Sequence, residues 1–237
     1  MSGAVNLSPI YPNAPLVEAV FEIRFPGEPA VECRRDDFFE LIRSEYGHVL
    51  VPKVQPGQAP ALQLYNFKRE DNQTSVMTAI NRFAFSTKKY EGFQKFEKEA
   101  LRLIRLFADK FNIEKLTRTG LRYINVIPFV RGEGKDALSN YLQVAVKLPL
   151  AFPSEFRHLE LAFVSQTEEG LITTRIEPLV AQNGTQAILL DFDFAMEKDL
   201  HIRRIKSYLD ESHRHTKAMF EQIITDNYRK YIRGEAV

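Results

Sequence analysis

The chain has no tryptophan, one cysteine, no excess of either charge and no long apolar run. Each lack closes off a class of protein. A lone Cys33 excludes an intramolecular disulfide and any multi-cysteine metal site, which fits a reducing, cytoplasmic compartment. Thirty-two Lys and Arg against 31 Asp and Glu leave no net field to draw in nucleic acid, anionic membrane or an acidic partner. No apolar stretch approaches the roughly 20 residues that a membrane helix needs. Residues 1–15, with Asn6, Pro9, Pro12 and Asn13, lack the basic start and apolar run of a secretory signal. Also missing are a Gly-x-Ser-x-Gly elbow, a His-Glu-x-x-His pair, a dinucleotide-binding glycine pattern and a cysteine nucleophile in a suitable setting.

What is present is a globular composition. Of the 237 residues, 44% are hydrophobic and 27% charged, and 18 Phe with 9 Tyr point to a core of phenylalanine and aliphatics. Residues 16–25 alternate Val17, Ala19, Phe21, Ile23 and Phe25 with Glu18, Val20, Glu22 and Arg24, the period of a strand. A short helix is expected over 36–46, a proline-rich loop over 52–60 and an extended segment over 61–70. The Asp71-Asn72-Gln73 turn then leads into one strand over 74–86. Residues 89–111 form a long amphipathic helix on the stripe Phe93, Phe96, Ala100, Leu103, Ile104, Phe107 and Phe111.

The second half repeats the order: a strand over 116–130, a helix over 136–146 capped by Asp136, and a hairpin of 158–167 with 170–180. A further strand over 186–194 and one long helix over 200–232 complete it. The expected fold is therefore α+β. Antiparallel strands carry long helices on one face, and a strand-helix-hairpin-helix unit is duplicated over 1–114 and 115–237, as one compact domain or two closely packed halves.

Each chemical candidate has an ordinary alternative. Gly132-Glu133-Gly134-Lys135 has Phe129 where a phosphate loop needs glycine and Asp136 where it needs Ser or Thr, so it reads as a turn. Asp191 and Asp193 share a strand face and could offer two oxygens to a cation, but no third ligand accompanies them. His213 and His215 project about 200° apart on a helix and cannot chelate one ion. His215 reads instead as an i, i+4 partner of Glu211. Lys95, Lys98, Arg102 and Arg105 form a basic stripe that reads as a solvated face. The polar faces of the two leading strands carry Glu18, Glu22 and Arg24 in one half and Arg118, Arg122 and Asn125 in the other. If the halves pack together, these meet in a carboxylate and guanidinium network, for binding or for structure.

The run Pro12-Asn13-Ala14-Pro15-Leu16-Val17-Glu18-Ala19-Val20-Phe21-Glu22-Ile23-Arg24-Phe25 resembles a sporadically distributed bacterial family of about this length that has no assigned activity. Ile80-Asn81-Arg82-Phe83, Gly120-Leu121-Arg122-Tyr123-Ile124-Asn125 and Leu190-Asp191-Phe192-Asp193 resemble it too, across nearly the whole chain. The scattered occurrence of that family resembles that of phage-defence and toxin-neutralising genes, which implies a partner-binding role.

The leading expectation is a non-enzymatic protein-binding module, antitoxin-like, chaperone-like or defence-associated, with no catalytic residue and no cofactor. Its partner is expected to be a protein or a second copy of the chain, while nucleic acid is disfavoured and no membrane is implied. The alternative is a ligand-binding or metal-dependent phosphoryl-transfer enzyme using Asp191, Asp193, Glu18, Glu22 and Arg122 between the halves.

Overall fold

The computed structural model describes residues 11–51, 57, 64–128, 137–144, 160–180, 186–198 and 200–235. Among the described residues nine strands make one antiparallel sheet: β1 (Leu16–Arg24), β2 (His48–Leu50), β3 (Tyr65–Lys68), β4 (Thr74–Ala79), β5 (Arg82–Thr87), β7 (Arg118–Pro128), β8 (Leu161–Gln166), β9 (Leu171–Val180) and β10 (Gln186–Met196). Their order is β2-β3-β4-β5-β1-β7-β10-β9-β8, so the leading strands β1 and β7 lie side by side at the centre. β6 (Lys115–Leu116) and β11 (Leu200–His201) form a separate two-stranded ribbon.

Alternation decides the two sheet faces. Ala19, Phe21 and Ile23 of β1 lie level with Thr87, Phe85 and Phe83 of β5 and with Tyr123, Leu121 and Thr119 of β7, and all are buried. Phe192, Phe194 and Met196 extend the same row onto β10. Helix α3 (Phe93–Phe111) sets Phe96, Ala100, Leu103, Ile104, Phe107 and Phe111 on this face, where Phe107 meets Phe83 at 4.8 Å between ring centres. Gly92, at φ 99°, begins α3, and Asn112 at φ 54° ends it in the left-handed conformation of a helix C-terminus. Helix α4 (Ile205–Ile223) covers β7 and β10 with Ile205, Tyr208, Leu209, Ser212 and Thr216. Among the described residues no helix is long and apolar enough to cross a membrane.

Several elements differ from expectation. Pro29 does not simply end a strand: it opens a short helix, α1 (Pro29–Cys33), where a proline's missing N–H costs nothing. The following helix, α2, is Arg35–Ile42, shorter than 36–46 suggested. The segment 74–86 is not one strand but the hairpin β4–β5, turning at Ile80-Asn81 without glycine or proline to mark it. The described part of 136–146 is not α-helix: Ala137–Asn140 form a single 3₁₀ turn, and Leu142 makes a bridge to Ile224. The helix expected over 200–232 is broken twice. Residues 200–204 are ribbon and 3₁₀ turn, and Ile224 is extended, so α5 (Asp226–Ile232) starts anew with Thr225 accepting from the Tyr228 N–H as its cap. Gly132-Glu133-Gly134-Lys135 and the Asp136 cap lie outside the described residues.

Candidate functional site

Two groups of side chains, one on each face of the sheet centre, are candidates for function. On the face away from α3 and α4, even-numbered residues of β1 and β7 meet odd-numbered residues of β10. Arg118 bridges three strands, with Nη1 2.9 Å from Glu22 Oε1, Nη2 3.2 Å from Asp193 and Nε 3.4 Å from Glu197. Its side chain crosses Gly120, where a Cβ would lie 2.6 Å from Nη1. Glu22 also pairs with Arg24 at 2.7 Å and Arg82 at 3.4 Å.

Further along, Arg122 donates twice to Asp191, at 2.8 and 2.7 Å, and Arg175 of β9 stands 3.6 Å from the same carboxylate. Asp191 is only 2% exposed. Arg122 is held further into its charged form, chiefly by the Asp191 hydrogen bonds. Burial, helped by the Asp191 and Glu22 charges, raises Asp193 against the pull of Arg118 and Arg122.

The structure thus brings Glu22, Arg24, Arg118, Arg122, Asp191 and Asp193 together, with Glu18 adding its charge near Arg122 without a direct ion pair among the described residues. Asn125 does not join them. It is odd-numbered on β7, so its side chain points to the helix-covered face, where Nδ2 donates to Leu190 O at 3.0 Å. The oxygens of Asp191 and Asp193 face guanidinium groups, so a cation there would have to displace positive charge already in place.

The basic stripe on α3 is likewise interrupted by acids. Arg102 pairs with Glu99 and Glu45, Arg69 joins both, and Tyr46 donates to Glu99 at 2.8 Å. Lys95 pairs with Glu91 and Lys206 with Glu97. Glu169, Glu211 and His215 converge closely enough to hold an ion, yet Arg214 sits among them and pairs with both acids. Phe194 stacks under His215 at 4.6 Å. His213 and His215 point to different places, as their spacing on α4 requires.

On the helix-covered face, a cavity of about 410 Å³ opens between the start of α3, the middle of α4, the residues before β1, and β7 with β10. Phe93, Phe192 and Phe220 supply apolar wall, and the polar atoms come from Tyr90, Tyr123, Asn125 and His213. His213 stacks on Phe93 at 3.8 Å and 6°. Its Nδ1 lies 2.9 Å from the Tyr123 hydroxyl, which is 3.3 Å from that of Tyr90. Burial, with the nearby Lys217 charge adding to it, pushes His213 down to about 4, so the imidazole is neutral at pH 7. Burial lifts Tyr90 to about 12 and Tyr123 well above the phenol range, so both keep their protons. On the rim, Tyr11 donates to Glu221, which Arg229 also engages.

This cavity was not apparent from sequence. Phe93 reads as one position of an apolar helix stripe, and only the odd parity of Tyr123 and Asn125 on one strand hints that they share a wall. A scan against protein-family models finds no match for this chain, and a search of curated proteins finds none either.

Proposed function

We propose that the chain is a ligand-binding protein whose site is the aromatic cavity between α3, α4 and the sheet, and that it takes a small planar molecule. The observation that carries this reading is a cavity of about 410 Å³, within the usual size range of ligand pockets, walled by aromatic rings and holding a few buried polar atoms. Saturable one-to-one binding of 2-naphthol, followed by calorimetry, is the expected result. Ala14→Trp at the mouth is expected to abolish it. Absence of saturable binding, or binding indifferent to Ala14→Trp, would count against the reading.

Partner binding is the second reading, and the two sheet edges favour it. Val49, Leu50 and Val51 are exposed at the β2 edge, and Phe163 and Val164 at the β8 edge. Exposed apolar edge strands invite strand addition by a second copy or another protein. Sedimentation is expected to show an assembly that Val164→Lys dissolves; a monomer at every accessible concentration, with no co-purifying protein, would oppose it.

We also infer that the halves 1–114 and 115–237 are copies of one unit. What supports this is the strand order: in each half the leading strand is central, and the last strand of that half in the nine-stranded sheet, β5 or β10, lies directly beside it. In each half a long amphipathic helix follows. The charged network on the other sheet face is read as structural, because its acids and guanidinium groups answer one another.

A further inference from the structure

Two polar atoms face the cavity without a protein partner among the described residues, and their chemistry is opposite. The first belongs to His213. A phenol is the better donor and an imidazole nitrogen the better acceptor, so Tyr123 donates to Nδ1. A neutral ring whose Nδ1 accepts carries its proton on Nε2. Nε2 is thus an N–H donor, and the ring that bears it is held flat against Phe93.

The second atom belongs to Asn125, which is 4% exposed. Its Nδ2 lies within reach of two carbonyl oxygens, those of Leu190 at 3.0 Å and Tyr123 at 3.5 Å, which fixes the amide with Oδ1 as the remaining acceptor. Asn125 and Tyr123 are next neighbours on one face of β7, about 7 Å apart along the strand. His213 reaches the cavity from α4 and Asn125 from β7, so the donor and the acceptor enter it from different elements.

Charge at the mouth is balanced. Glu91 and Glu221 oppose an anion there, and Lys95 and Lys217 oppose a cation. A neutral guest is the one that none of the four repels.

We infer that the cavity recognises a neutral, planar heteroaromatic molecule that presents a hydrogen-bond acceptor at one end to His213 Nε2–H and an N–H or O–H donor at the other to Asn125 Oδ1. This inference rests on the cavity being a ligand site. It adds which ligand chemistry fits: a bicyclic ring system slides between the aromatic walls, and its two polar ends meet the two polar atoms that have no hydrogen bond among the described residues.

The test is calorimetric titration of the whole chain with a matched set of bicyclic probes. 4-Quinolone has a ring carbonyl and an N–H at opposite ends, N-methyl-4-quinolone lacks the donor, naphthalene lacks both groups, and quinoline-4-carboxylate carries a charge. 4-Quinolone is expected to bind about tenfold more tightly than its N-methyl form, and that form more tightly than naphthalene, as one neutral hydrogen bond each allows. His213→Phe is expected to erase the advantage of the carbonyl, so that N-methyl-4-quinolone and naphthalene bind the variant with equal affinity; a retained advantage would overturn the role of Nε2–H. The probe series on the unaltered protein decides the matter even if that variant does not fold. Equal affinity for 4-quinolone and naphthalene would overturn the recognition while leaving the cavity as a ligand site. Tighter binding of quinoline-4-carboxylate would overturn the neutrality of the guest. Failure of every probe to bind saturably would overturn both.

Discussion

His213 links the chemistry of the cavity to stability. Its folded value, about 4, lies below the ordinary 6.5, so the unfolded chain binds the extra proton first. The stability that His213 contributes is therefore complete above about pH 6.5 and is lost as pH falls toward 4. The expected slope is at most about 1.4 kcal/mol per pH unit, on the order of 3 kcal/mol over the window. Urea titrations at a series of pH values check this, and His213→Phe is expected to flatten the curve between those limits. Asp191 makes the complementary case. Arg122→Met leaves a buried carboxylate with Arg175 alone at 3.6 Å. Because Arg122 is itself half-exposed, the expected loss is about 2 kcal/mol, below that of a fully buried pair. Adding Asp191→Asn is expected to recover part of it in the same denaturation assay, since the uncompensated charge is then gone.

At the scale of elements, the period of two along β1 and the apolar stripe of α3 were legible because burial on one face imposes them on the sequence. Parity also separates Asn125 from Arg118 and Arg122, a distinction that proximity in sequence obscures. The breaks were harder to see. Nothing in Ile80-Asn81 announces the β4–β5 turn, and the helix break at Ile224 is fixed by distant backbone, with Gln143 N donating to Ile223 O and Thr225 N to Tyr141 O. Thr225 followed by Asp226 does carry a cap signal, outweighed in the sequence by the continuous apolar spacing. Thr225→Ala is expected to cost about 1 kcal/mol in thermal or chemical denaturation. Gly170 is a stricter position: a Cβ there would lie 2.1 Å from the Ala195 carbonyl oxygen. Gly170→Ala is expected to cost on the order of 2–3 kcal/mol and to pull Glu169 away from His215, seen as a changed His215 imidazole shift by NMR.

For the whole molecule, the junction of β1 and β7 lies at the centre of the sheet. Each strand has a paired neighbour on both sides, and the Arg118 side chain ties β1, β7 and β10 together. The amides of β1 and β7 are therefore expected to exchange with solvent last and at one common free energy, whereas those of β2 and β8 exchange earlier. Hydrogen exchange followed by mass spectrometry checks this, and early exchange of either central strand would speak against a single cooperative unit.

The wall of tyrosines at the cavity has an optical consequence. With no tryptophan to collect excitation, emission from this chain comes from its nine tyrosines, and Tyr11, Tyr90 and Tyr123 line the cavity. A guest that stacks beside them and absorbs near 300 nm accepts their energy, so occupancy dims the protein's native fluorescence without any label.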